Sequence, residues 1–207
     1  GYSFTIPPYN PDDVIMATKR LLKDRNDQNF FIYPDLPTGC DIVDDGSELH
    51  NICETGSGKL HMRAHIDVIE EPSKWILRIV SIPWLTSPLD IKESIRQMQK
   101  RGEVQIQDIC DYSDQYKLKD GSLVTEIQID IILNKALDPY AIRELLYRNT
   151  GLDRTIAVQF RMVEEGINIV KKNMYEVLND WIDERREYLR RLYNKKISYT
   201  SARIAFL

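Results

Sequence analysis

Only three cysteines occur in the 207 residues, Cys40, Cys53 and Cys110, an odd number at spacings that match no zinc signature. Reduced thiols in a cytoplasmic protein are therefore expected. No run of about 18 apolar residues occurs, and no apolar stretch follows a basic N-terminus, so neither a membrane span nor a signal peptide is expected. Histidine is scarce as well. His61 and His65 share a strand face, but four residues of strand span about 13 Å, too far for one ion. With His50 they find no cysteine or carboxylate to close a set, and Asp111, Asp114 and Glu126 have no common geometry, so no metal is assigned to this chain. Proline and glycine are missing from Ile167 to Leu207, which leaves that segment free to form one long helix.

An excess of positive charge is also lacking. Lys and Arg number 28 against 32 Asp and Glu, a net charge of -4, which argues mildly against nucleic acid if charge is evenly spread. It is not evenly spread. Acidic residues crowd Asp41 to Glu48 and Asp108 to Asp114, whereas Arg185, Arg186, Arg190, Arg191, Lys195, Lys196 and Arg203 load the C-terminal segment. A basic strip binds phosphate whatever the whole-chain sum, but Asp183, Glu184 and Glu187 interleave at helical spacing, which equally describes a salt-bridged solvated face.

With 43% hydrophobic and 29% charged residues, the chain can bury one sizeable core and carry an extension. Three regions are expected: 1–44, 45–166 and 167–207. The first holds a helix from Pro11 to about Lys23, with Asn10 as N-cap, proline at the first helical position, and Asp12 and Asp13 on the positive helix end. The second alternates as strands over Leu60 to Ile69 and Trp75 to Ile82, then gives a helix from Pro88 to about Arg101 behind Thr86 or Ser87. Strands over Val104 to Cys110 and Leu123 to Leu133, turning at Asp120-Gly121, precede a helix from Pro139 to Arg148 capped by Asp138. The fold class is therefore α+β, with repeated ββα units forming a sheet covered by two helices. The third region places Met174, Val177, Leu178, Trp181, Ile182, Tyr188, Leu189, Leu192, Tyr193 and Ile197 on one face of a coiled-coil-type helix. Forty helical residues would reach about 60 Å, so this helix must project or pair with another.

Two segments carry candidate chemistry. In Ile6-Pro7-Pro8-Tyr9-Asn10-Pro11 the prolines fix their own φ and keep the preceding residues extended, which presents Ile6 on a stiff loop at a helix entrance. It reads either as a wedge for another molecule or as a buried linker. Thr55-Gly56-Ser57-Gly58-Lys59 superficially resembles a nucleotide phosphate loop, but Cys53 stands where that motif needs glycine and Leu60 where it needs Ser or Thr. As a strand entry, it puts Lys59 and Arg63 on one face, either as plain outward polar residues or as phosphate contacts.

These segments resemble, in order and from end to end, the breakage-reunion (A) subunit of type IIA DNA topoisomerases, the gyrase and topoisomerase IV family. Ile6-Pro7-Pro8-Tyr9-Asn10 is similar to its intercalating isoleucine segment, and Tyr33-Pro34-Asp35-Leu36-Pro37-Thr38-Gly39 to its Gly-Pro-Asp-Phe-Pro-Thr-Gly loop. Glu54 to Ala64 resembles its Thr-Gly-Arg-Gly-Lys hairpin entry, Ile82-Pro83-Trp84 its Ile-Pro-Tyr strand end, and Trp181 to Leu192 the start of its coiled-coil arm. Two positions depart from the pattern: Ser57 stands where many members carry arginine, and Pro88 lies where gyrases carry lysine.

The resemblance implies the DNA-binding and DNA-bending tower region, with Ile6, Pro7, Ser57, Lys59 and Arg63 at double-stranded DNA. It implies an ATP-dependent type II topoisomerase that acts as a homodimer of A subunits with a B subunit, which handles Mg²⁺ and ATP. A cytoplasmic, nucleoid-associated site of action follows. The family's nucleophilic tyrosine follows an arginine, and no Arg-Tyr pair occurs here. This chain is therefore expected to be a piece of the subunit without catalytic residues, inactive alone. The competing expectation is a non-enzymatic scaffold whose helical arm binds protein.

Overall fold

Among the described residues, three of five helices begin with the same two-residue device, a capping side chain followed by proline. In the computed structural model, which describes residues 5–117, 123–164, 166 and 168–205, Asn10 accepts from the Asp12 amide at the start of α1 (Pro11–Lys23). Ser87 does the same for the Asp90 amide at α3 (Pro88–Lys100), and Asp138 for the Tyr140 amide at α4 (Pro139–Asn149). In each case the cap satisfies an orphan donor and the proline sits where no amide hydrogen is needed. The chain forms two compact units, one of residues 35–45 and 59–157, the other of 1–34, 46–58 and 158–207.

The first unit is built on an antiparallel sheet in the order β3-β4-β8-β5, from β3 (Ile66–Glu70), β4 (Lys74–Ile79), β8 (Ile129–Asn134) and β5 (Asp108–Asp111). Register sets Leu77 opposite Ile131, and Ile131 opposite Ile109, so one face is a row of aliphatic side chains. Ile91, Ile95 and Met98 of α3 and Leu146 of α4 are completely buried in the cluster on that face. On the other face Arg78 lies opposite Asp130 and donates to both of its carboxylate oxygens, at 2.8 and 2.7 Å, which makes a buried carboxylate tolerable. The expected ββα repetition is present, but the second repeat is interrupted: β6 (Asp114–Lys117) and β7 (Leu123–Glu126) form a separate hairpin between β5 and β8. The Asp120-Gly121 turn lies outside the described residues.

The strand expected over Leu60 to Ile69 is two strands in two sheets. β2 (Ser57–Arg63) pairs with β1 (Asp41–Ile42) and neighbours β9 (Asp153–Gln159), whereas β3 joins the four-stranded sheet. The break at Ala64 and His65 is held by tertiary hydrogen bonds, from the Ala64 amide to the Leu152 carbonyl and from the His65 amide to the Ser81 hydroxyl.

The second unit contains α1, α2 (Ser47–Thr55), the hairpin of β10 (Arg161–Glu164) and β11 (Asn168–Lys171), and α5 (Met174–Ala205). α5 starts at a reciprocal capping box. The Asn173 amide donates to Glu176 and the Glu176 amide to Asn173, at 2.7 and 2.8 Å. Its first turns bury Met174, Tyr175 and Ile182, and the Tyr175 hydroxyl donates to the carbonyls of Gln28 and Phe30. Beyond Ile182 the helix is mostly exposed, with Tyr188, Tyr193, Ile197, Tyr199 and Ile204 on its surface. Among the described residues no helix is long and apolar enough to cross a membrane.

Candidate nucleic-acid interface

Strand β2 alternates as its sequence predicts. Leu60 and Met62 are buried, while Lys59 is exposed and His61 and Arg63 are half-exposed on the opposite face. The glycines at its start serve packing. Gly56 ends α2 at φ +68, and a Cβ there would lie 2.0 Å from the Lys172 carbonyl oxygen. At Gly58 a Cβ would fall 2.5 Å from Ile52 Cγ1.

The two basic residues of β2 differ in exposure. Lys59 is exposed at the strand's start. Arg63 is anchored: its Nε donates to Asp153 Oδ2 at 2.7 Å and its Nη2 lies 2.5 Å from the same oxygen. Its guanidinium also lies over the Tyr147 ring, 4.9 Å from the centroid, and Tyr147 Oη donates to the Ala64 carbonyl at 2.9 Å. The hydrogen bond to Asp153 raises the pKa of Arg63, which stays cationic. His61 Nε2 is 2.5 Å from Asp153 Oδ1. One carboxylate therefore bridges two groups of the face. Burial alone would raise the Asp153 pKa, but hydrogen bonds from His61 and Arg63 outweigh it and hold it below the usual carboxylate range.

Asp153 has no local sequence signal as a partner of β2, since 90 residues separate it from Arg63 and only strand pairing brings them together. The other histidines have their own carboxylate neighbours: His65 lies 3.5 Å from Asp41 and 3.3 Å from Asp67, and His50 lies 3.2 Å from Glu54. Among the described residues no group of three His, Cys, Asp or Glu is placed to hold a metal ion.

The remaining candidates lie in the other unit. Pro7 is buried, and Ile6 is half-buried, lining an apolar cavity of about 160 Å³ with Tyr9, Val14, Ile32 and Phe160. The loop is fixed on either side of Ile6, by the Gln159 amide donating to the Thr5 carbonyl at 3.0 Å and by a bridge between Tyr9 and Pro34. Ser57 accepts a hydrogen bond from Lys171 Nζ at 2.8 Å, so a cation that local spacing does not reveal stands at that position.

The profile of the DNA gyrase/topoisomerase IV A-subunit family matches residues 1–207. The DNA gyrase A subunit of Kosmotoga olearia is 24% identical over 213 residues, which cover all of this chain and 25% of that protein. The DNA topoisomerase 4 A subunits of Haemophilus influenzae and Escherichia coli are 27% and 26% identical, each over all of this chain and 27% of the relative. The chain thus spans about a quarter of the length of the curated relatives it matches. A match that runs through the Ile6 loop, β2 and α5 alike settles the classification: this chain belongs to the DNA gyrase/topoisomerase IV A-subunit family.

Proposed function

We propose that this chain is the DNA-binding and DNA-bending tower region of a type IIA topoisomerase A subunit, serving ATP-dependent double-strand passage in the cytoplasm, at the nucleoid. The observation that carries the reading is the family match over all 207 residues, and the outward cationic face of β2 supplies chemistry that suits it. Lys59 and Arg63 contact phosphates and position the duplex without reading its sequence. His61, tied with Arg63 to Asp153, holds that face in register.

Ile6 is the bending element and Pro7 stiffens it. Half-buried against its own unit, Ile6 gives up about 1 kcal/mol of apolar burial when it enters a base step. Unstacking costs a few kcal/mol more, and the phosphate contacts that a bent duplex permits offset both. Strand cleavage, Mg²⁺ and ATP belong to other parts of the assembly: the homodimer of A subunits supplies the nucleophilic tyrosine, and a B subunit the metal and nucleotide. This chain alone forms no covalent adduct with DNA.

Energy transfer between dyes at the ends of a short duplex tests the reading. In the intact subunit, Ile6→Ala is expected to leave non-specific affinity within about tenfold, because phosphate contacts dominate that term, while sharply reducing the bend and strand cleavage. A variant that bends DNA as the parent does, yet melts well below it, makes Ile6 a core residue and refutes the wedge.

A further inference from the structure

Arg161 and Lys171 are directly opposed in the β10–β11 ladder. Directly opposed residues of an antiparallel pair share a face with their Cβ atoms about 5 Å apart, so two cations there repel and oppose folding. Neighbouring Lys172, on the other face, is bonded to two carboxylates, Glu164 and Asp180. Arg161 and Lys171 have neutral acceptors instead: Arg161 Nε donates to Gln159 Oε1 at 3.1 Å and Lys171 Nζ to Ser57 Oγ at 2.8 Å. Among the described residues neither cation has a carboxylate within 4.0 Å, and the Ser57 hydroxyl proton has no acceptor.

We infer that Arg161, Lys171 and the Ser57 hydroxyl form a phosphate-binding site for the backbone of duplex DNA, additional to Lys59 and Arg63 of the proposed interface. The donor set suits a phosphodiester. With Nε committed to Gln159, the two terminal nitrogens of Arg161 present a fork, Lys171 adds a point charge, and Ser57, accepting from Lys171, keeps its own proton to donate. A cation pair with no carboxylate partner among the described residues is a cost in the free protein that an arriving phosphate removes, which makes the pair a binding device. The inference rests on the reading that this chain binds duplex DNA.

Anisotropy titrations of a labelled random-sequence duplex with the full chain, from 50 to 300 mM salt, test it. Lys171→Gln is expected to reduce the slope of log affinity against log salt by about one unit and to lower affinity about tenfold at 0.1 M salt, while Lys171→Arg keeps both. The melting temperature of Lys171→Gln is expected to equal or exceed that of the parent, since one of two repelling charges is gone. Arg161→Gln, which leaves the Lys171–Ser57 bond in place, is expected to lose a unit of slope on its own. If the parent binds and the slope is unchanged in both variants, this site is refuted and the DNA reading stands. A parent without duplex affinity overturns both.

Discussion

Asp153→Asn separates the stability of the β2 face from its affinity. The Asp153 side chain is 19% exposed and holds His61 at 2.5 Å and Arg63 at 2.7 Å, so the substitution preserves shape and removes one charge. Hydrogen bonds to a charged group contribute about 1.5–3 kcal/mol, and half-exposed partners bring that to about 1–2 kcal/mol, a fall in melting temperature of a few degrees. The sign with pH is fixed by the depressed carboxyl pKa: its contribution is present above the unfolded value near 4 and is lost as pH falls through the lower folded value. The variant should therefore show a flatter loss of stability below about pH 4 than the parent. DNA affinity is expected to move the opposite way. Freed of its internal anion, Arg63 can neutralise a phosphate fully, which steepens the salt slope by up to about one unit and tightens binding about tenfold at 0.1 M salt. Thermal melts across pH and anisotropy titrations across salt read both effects. A variant that melts like the parent, or binds DNA no better, refutes the argument that Asp153 competes with phosphate for Arg63.

Gly56→Ala should abolish or severely weaken folding of the unit around α2 and α5, because φ is +68 and the new Cβ would strike the Lys172 carbonyl; a melting loss under about 2 kcal/mol contradicts that geometry. Leu85 is 56% exposed at φ +65, with Arg154 donating to its carbonyl at 2.9 Å, so Leu85→Gly should raise stability by up to about 1 kcal/mol in a denaturant titration. Tyr175→Phe should cost about 2 kcal/mol by leaving the Gln28 and Phe30 carbonyls without their donor. Burial pushes the Tyr175 phenol up to about 12, so its contribution is complete below its unfolded value near 10 and is lost as pH rises toward 12; Tyr175→Phe should blunt that alkaline loss.

The helix starts were legible because capping is local chemistry. Asn10-Pro11, Ser87-Pro88 and Asp138-Pro139 each begin a helix, and α1 spans the residues its sequence predicts. Asn173-Met174-Tyr175-Glu176 is an equally local signal for the start of α5 at Met174. The stretch without proline or glycine begins at Ile167, just past Gly166 at φ +76, and so takes in β11, which pairs with β10, before the helix starts. Strand ends were less legible, because alternation continues through bends that only tertiary bonds impose. Leu60 to Ile69 breaks where Ala64 meets Leu152, and Leu123 to Leu133 breaks where the Gln128 amide finds the Ser113 hydroxyl. The helix α2 escaped notice inside an acidic stretch too short for periodicity to register. At the candidate site, alternation placed Lys59 and Arg63 on one face, but the anion on Arg63 and the cation on Ser57 come from β9 and β11, beyond the reach of any local pattern.

The central claim, that this chain holds duplex DNA by its phosphates, is tested most directly by salt. Binding of the chain to several random-sequence duplexes should be alike in affinity, and log affinity should fall linearly with log salt at a slope between about −2 and −4, as expected for Lys59, Lys171, Arg161 and a partly neutralised Arg63. Lys59→Ala should reduce that slope by about one unit on every duplex. No detectable binding at 50 mM salt, or a slope near zero, would contradict the account.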